Sequence, residues 1–218
     1  MKYLILLFLS FLFFDFSTSN AQLIRDYGIK VGLASTNQNW NWSSETGVIA
    51  NAKSRQGFEG GLFIEWLNIP FLSFITEVNY IEKGSKVSTN IMVRTSQNPD
   101  GTGQYFGYST RINYLSIPIL AKLRINEGIL TPYILLGPRF DFKLSSSSSY
   151  NNNPGPLYEY KNNDLGGTFG IGVELRQILL PLHLGLEFRY SPSFQYCYSV
   201  KYLSVKNSSL EFLLVLSY

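Results

Sequence analysis

Leu182-His183-Leu184-Gly185-Leu186-Glu187-Phe188-Arg189-Tyr190 puts Leu182, Leu184, Leu186, Phe188 and Tyr190 on one side of an extended backbone. His183, Gly185, Glu187 and Arg189 fall on the other. Period two means strand. The two faces together decide the environment: one is apolar throughout, and the other carries full charges beside a glycine. A strand with hydrocarbon on one side and a polar lumen on the other has this pattern. Working outward, Asp164 to Arg176 repeats it, with Leu165, Phe169, Ile171, Val173 and Leu175 against Asp164, Thr168, Glu174, Arg176 and glycines. Leu210 to Tyr218 repeats it again, with Leu210, Phe212, Leu214, Leu216 and Tyr218 on the apolar face.

Five more segments upstream alternate in the same way. They are Tyr27 to Ala34, Gly57 to Trp66, Phe71 to about Lys83, Arg111 to Ile125 and Thr131 to Leu144. Each is near the length needed to cross a bilayer at a tilt. Eight strands joined by alternating short and long connections predict an all-β fold, an eight-stranded antiparallel up-and-down transmembrane barrel. The short connections are Leu67 to Pro70, the region around Asn126 to Gly128, and Gln177 to Pro181. The long polar ones are about Ser35 to Gln56, Gly84 to Thr110, Ser145 to Asn163 and Ser191 to Asn207. The serines Ser145 to Ser149 are read as low-complexity loop. Short turns belong to the periplasmic side of such barrels, so an even strand count places both termini in the periplasm.

The N-terminus carries its own signal. Met1-Lys2 precedes an apolar run, Tyr3 to Phe14, and Ser19-Asn20-Ala21 ends it as a small-x-small site before Gln22. This predicts a secretory signal peptide over residues 1–21 and a barrel domain over 22–218. No later segment is apolar enough for a transmembrane helix. A spanning chain must then close into a barrel, because hydrocarbon cannot satisfy an open sheet edge. The net charge of +3 comes with no basic run, which argues against a nucleic-acid surface. The single cysteine, Cys197, excludes an internal disulfide.

Aromatics sort by depth. With the first strand running outward, Tyr27, Trp66 and Tyr218 fall at the periplasmic rim of the lipid face. Tyr80, Phe142, Tyr190 and Phe212 fall at the outer rim. Two such girdles are expected of a membrane barrel.

Tyr114-Leu115-Ser116-Ile117-Pro118-Ile119-Leu120, then Thr131-Pro132-Tyr133-Ile134-Leu135-Leu136-Gly137-Pro138, then Asp164-Leu165-Gly166-Gly167 to Gly170-Ile171-Gly172-Val173-Glu174 resemble the outer-membrane β-barrel family of Bacteroidetes that includes the PorT-type proteins. Ser116 stands where that family often has Glu. The resemblance covers nearly all of the chain after Ala21 and implies an eight-stranded barrel in the outer membrane, inserted by the barrel-assembly machinery. It implies no reaction, and the secretion role of PorT-type members does not follow from barrel motifs.

The inward face predicts a charge network of Glu59, Glu65, Glu77, Lys122, Arg124, Arg139, Asp141, Glu174, Arg176, Glu187, Arg189 and Glu211, joined by Lys30 and Lys143. An eight-stranded barrel is just wide enough for its own side chains. Opposite charges there must pair, because an unpaired buried charge is very costly. A structural ion-pair plug is the expectation, with a narrow polar conduit as its rival. His183 and Glu187 lie about 13 Å apart along one strand, too far for a base and its orienter. No catalytic residue, cofactor or metal site is expected. Gly166-Gly167 and Gly170-Ile171-Gly172 lack the helix that a phosphate loop needs. They instead make room for neighbouring side chains in a crowded lumen. Cys197 is read as incidental in an outer loop. The outer-loop aromatics Trp40, Trp42, Tyr105, Phe106, Tyr108, Tyr150, Tyr158, Tyr160, Tyr196 and Tyr198 fit either a recognition surface or a self-packed loop cluster. The function expected is therefore that of a non-enzymatic outer-membrane barrel with lipid around it and a possible envelope protein partner. A small-solute channel is the alternative, ahead of a lipid-modifying barrel enzyme. A soluble carrier of reversed polarity fits least, because its outer face would not sort aromatics by depth.

Overall fold

The computed structural model describes residues 23–42, 52–67, 69, 71–95, 98–125, 128–150, 153–154, 159–179, 181–201 and 203–218. Residues 1–21, expected from the sequence to be a leader, lie outside them. The strands are β1 (Ile24–Trp42), β2 (Lys53–Trp66), β3 (Leu72–Thr95), β4 (Asn98–Arg124), β5 (Leu130–Tyr150), β6 (Asn153–Pro154), β7 (Asn163–Leu179), β8 (Leu182–Pro192), β9 (Tyr198–Val200) and β10 (Leu203–Ser217). Each long strand pairs antiparallel with its neighbour in the order β1-β2-β3-β4-β5-β7-β8-β10, and β10 returns to β1. That closure makes a ring of eight strands, with β6 and β9 as short additions on β5 and β10.

Alternation sets the faces. Ile29, Val31, Leu33, Leu62, Phe74, Val78, Ile134, Leu136, Phe188, Phe212 and Leu214 are exposed on the outside of the ring. Their strand neighbours Lys30, Glu77, Asn79, Tyr133, Leu135, Glu187, Arg189, Glu211 and Leu213 are buried within it. An apolar exterior around a charged interior is the arrangement that lipid, not water, rewards. Glycines on the inner face admit bulky partners. A Cβ at Gly172 would sit 2.4 Å from the Tyr133 ring, so any side chain there displaces the tyrosine.

Each of the four segments read as loop contains strand residues, and two of them show why. Ser145 to Ser149 extend β5 and pair with Ser109 to Asn113 of β4. A bulge leaves Leu144 unmatched between the pairs Asn113↔Ser145 and Tyr114↔Lys143. That extra residue shifts the register of the serine run by one, and Ser145 Oγ accepts from Asn113 Nδ2 at 2.9 Å on the outward face. The Gly84 to Thr110 segment is the far end of β3 and β4, whose ladder runs on to Thr95↔Asn98. Along this ladder the outward positions Lys86, Ser109 and Arg111 are polar, so the apolar outer face that marks period two in the sequence is gone.

The closing seam makes a direct prediction. β10 is bonded to β1 from Gly28↔Ser217 to Trp42↔Leu203 and to β8 from Ser208↔Pro192 to Ser217↔His183. Removing Leu210 to Tyr218 exposes two edges at once, which hydrocarbon cannot satisfy. The truncated chain should be absent from the outer-membrane fraction on immunoblot. Normal levels there would contradict the seam.

Candidate functional site

The centre of the lumen is a cluster of four charged residues from three strands, joined by a tyrosine from a fourth. Lys30 of β1 reaches Glu77 of β3 at 2.7 Å and Glu187 of β8 at 2.9 Å. Arg189 of β8 donates to both oxygens of Glu77, at 2.8 and 2.7 Å, and pairs with Glu187. Tyr133 of β5 donates its hydroxyl to Glu187 at 2.8 Å. Two cations meet two carboxylates, each side chain at most 1% exposed. This two-pronged Arg–carboxylate contact is the strongest pairing geometry side chains offer. Apolar side chains of Phe63, Ile75, Leu120, Tyr133, Leu135 and Val215 pack beside it, with Lys30 Nζ 4.6 Å from the Phe63 ring centre.

Toward the end with the short connections lies a second set. Glu65 pairs with Lys122 at 3.0 Å and with Arg124, and it accepts from Ser73 at 2.8 Å. Lys122 also meets Glu174 at 3.4 Å, and Arg176 bridges Glu174 and Asp26 at 3.0 and 3.4 Å. Toward the other end, Asp141 takes Lys83 at 2.5 Å and Arg139 Nε at 3.0 Å. Glu59 and Glu211 form no ion pair among the described residues. Glu59 accepts only a 3.5 Å contact from Asn79, and Glu211 accepts from Ser209 at 2.7 Å. Asp26 and Lys83 are network members missing from the sequence list. Asp26 continues the inward parity of β1 one residue before the boundary drawn for it, and Lys83 continues that of β3 at the last residue drawn, which is the signal that would have found them.

His183 is not isolated. Its Nδ1 faces Asp26 Oδ1 at 3.7 Å, and Ser217 is its cross-strand partner on β10. The 3.7 Å separation is too long for the hydrogen bond that orients a catalytic base. Asp26, Glu174 and His183 each bring one ligand atom within 4.8 Å of the others. Around them, however, Arg25, Lys122, Arg124 and Arg176 already outnumber the carboxylates of Asp26, Glu65 and Glu174. The donor set therefore suits an internal ion-pair web better than a dication.

Residues 20–196 match the family described as outer membrane protein beta-barrel domain. The chain belongs to that family. It is an outer-membrane β-barrel protein, and outer-membrane lipid surrounds it. Solved structures with similar folds include Ail, the attachment invasion locus protein of Yersinia pestis, at 13% identity over 88% of this chain and 98% of that one, with a TM-score of 0.41. OprG of Pseudomonas aeruginosa is 10% identical over 91% and 97% of the two chains, with a TM-score of 0.45. The outer membrane protease OmpT of Escherichia coli is 12% identical over 94% and 99%, with a TM-score of 0.43. No curated protein matches the sequence.

The end of the barrel opposite the short connections is capped from within. Ala34, Ile81, Ile112, Tyr114, Tyr160, Cys197, Leu203 and Val205 form one buried apolar cluster, with Trp40 and Tyr198 packed against it. The aromatics thus divide: Tyr108 and Tyr160 are buried, whereas Tyr150 and Tyr196 are exposed. Tyr158 lies outside the described residues, as do the side chains of Trp42, Tyr105 and Phe106. Cys197 is part of the cap and not incidental; burial, reinforced by the Asp164 carboxylate, pushes its thiol up to about 12. On the outside, the Tyr27 and Tyr218 rings lie 5.6 Å apart at the seam. Trp66 donates to Thr76 at 2.8 Å, and Tyr80 lies 6.5 Å from Phe58. Phe142, Tyr190 and Phe212 are exposed on the same outer face.

Proposed function

We propose that this protein is a non-enzymatic barrel of the envelope, with a lumen that is a structural plug and a role that lies in its outer surfaces and in contact with an envelope partner. The observation that carries this reading is the Lys30–Glu77–Arg189–Glu187 cluster, which ties β1, β3 and β8 across the lumen beneath an apolar cap. Balanced charge leaves no single-sign ring to select an ion, and the narrow ring leaves little room for water once these side chains fill it. Within the family, the Tyr114, Thr131 and Asp164 segments favour the PorT-type barrels of Bacteroidetes. We place the N- and C-termini in the periplasm, because the turns at Leu67, Ile125 and Leu179 are the short ones. Residues 1–21 act as the cleaved leader, and the barrel-assembly machinery inserts the rest. The exposed aromatics Tyr27, Tyr190, Phe212 and Tyr218, with Trp66, Tyr80 and Phe142, form the two interface girdles.

The rival is a small-solute channel, and swelling of proteoliposomes in isotonic sugar or amino-acid solutions separates the two. The plugged barrel should swell no faster than protein-free vesicles. Swelling that scales with protein content and falls with solute size would overturn the reading in favour of the channel.

A further inference from the structure

Just above the lipid-facing surface, the outer flank of β1 and β10 changes character. Leu33 and Leu210 are the last large apolar side chains there, at 61% and 45% exposure. Beyond them the ladder pairs Asn37 with Ser208 and Asn39 with Lys206. Four residues separate Leu33 from Asn37, about 13 Å along the strand, or roughly 10 Å in height at a tilt near 45°. That height is the depth of the sugars and phosphates of an outer leaflet, not of its acyl chains.

A cavity of about 600 Å³ opens at this level, lined by Asn37, Gln38, Asn39, Trp40, Asn41, Ala52, Tyr196 and Lys206. Its size is that of a small-molecule site. The chemistry of its wall is selective. Asn39 and Asn41 are exposed and alternate with Gln38 and Trp40, which turn inward. Asn37 accepts from the Gln38 backbone at 2.9 Å, which fixes its amide. Lys206 Nζ sits 4.8 Å from the centre of the Tyr196 ring, and Tyr196 keeps 39% of its surface open. A row Asn39–Lys206–Tyr196 thus crosses the outer face. No lining residue is acidic, in contrast to the carboxylate-rich lumen. Primary amides donate and accept together, as vicinal hydroxyls require. An open aromatic supplies an amphipathic platform at low entropic cost. A lysine with one donor on a ring keeps others for an anion.

We propose that this groove binds a phosphorylated saccharide, with Asn39 and Asn41 on its hydroxyls, Tyr196 against its ring and Lys206 on its phosphate. The assignment rests on the reading of an outward-acting barrel and names what that outer surface recognises. Two sources carry the same chemistry: the headgroup of an outer-leaflet glycolipid, and a soluble oligosaccharide.

The test is titration calorimetry on the full chain, refolded from denaturant into detergent so that it carries no glycolipid. The probes are an intact rough lipopolysaccharide in mixed micelles, the oligosaccharide released from it by mild acid, and that oligosaccharide after phosphatase treatment. The released phosphorylated sugar should bind. Lys206→Gln should weaken it about tenfold, the scale of one rim charge contact, and phosphatase treatment should add nothing further to that variant. Tyr196→Ala should weaken the phosphorylated and dephosphorylated sugars alike. Tighter binding of the intact glycolipid, lost in the same variants, identifies the membrane as the source; equal binding of the released sugar identifies the soluble one. Each variant is first shown to fold by its heat-sensitive gel mobility. Failure of every probe to bind, or binding that both substitutions leave unchanged, overturns the proposal. Neither result bears on the plugged lumen, which the swelling assay reads separately.

Discussion

Replacing Arg189 by alanine should destabilise the folded barrel by about 3–5 kcal/mol, the loss expected when one partner of a buried ion pair is removed and the other stays charged. Arg189 is 1% exposed and is held by two oxygens of Glu77 and by Glu187. Without it, Lys30 alone faces both carboxylates. A methyl group restores neither the charge nor the volume, so strain and orphaned charge act together. Urea unfolding in lipid vesicles, followed by tryptophan fluorescence, gives the number. The double variant Glu187→Gln, Arg189→Met should lose markedly less, because Lys30 and Glu77 then remain as a balanced pair. If the double variant is as damaged as Arg189→Ala, packing rather than charge dominates the cluster.

Leu186→Arg should cost about 2–4 kcal/mol, the penalty for a guanidinium near the midplane on the lipid face. Leu186 is exposed on the outer surface and sits mid-strand, paired with Leu214 of β10 and Val173 of β7. Its neighbours Gly185 and Glu187 point inward and are buried. The same assay, combined with outer-membrane levels in cells, reads the effect. Wild-type stability for Leu186→Arg would reverse the two faces of every strand, because alternation links them all.

The parity of β8 could be read directly from Leu182 to Tyr190, since a strand with one charge-free face tolerates only one assignment. The inward positions of Glu59, Glu77, Arg139 and Arg189 follow by the same count. Their partners do not. Lys30 and Glu187 lie 157 residues apart and meet only because the ring closes β1 on β10, with β8 beside it. Alternation gives a face but not the stagger of the ring, and the stagger decides who meets across the lumen. Asp26 and Lys83 were missed because the apolar half of the signal ends before the strand does. The serine run Ser145 to Ser149 was misjudged for a related reason: a bulge at Leu144 breaks the count, and a polar strand above the membrane resembles a loop in composition. Trp40 and Tyr160 are ambiguous in sequence because an aromatic among polar residues suits a recognition loop and a buried cap equally well, whereas Cys197 reads as incidental because nothing beside it in sequence signals burial. The cap itself, built from β1, β3, β4 and β10 with residues 160 and 197, has no local signature.

Single-channel recording in planar bilayers tests the closed lumen most directly. The account predicts that the purified wild-type protein, inserted and shown to be folded by its heat-sensitive mobility, gives no steady conductance above the bare membrane across the accessible voltage range. Large, reproducible conductance steps from that protein would contradict it.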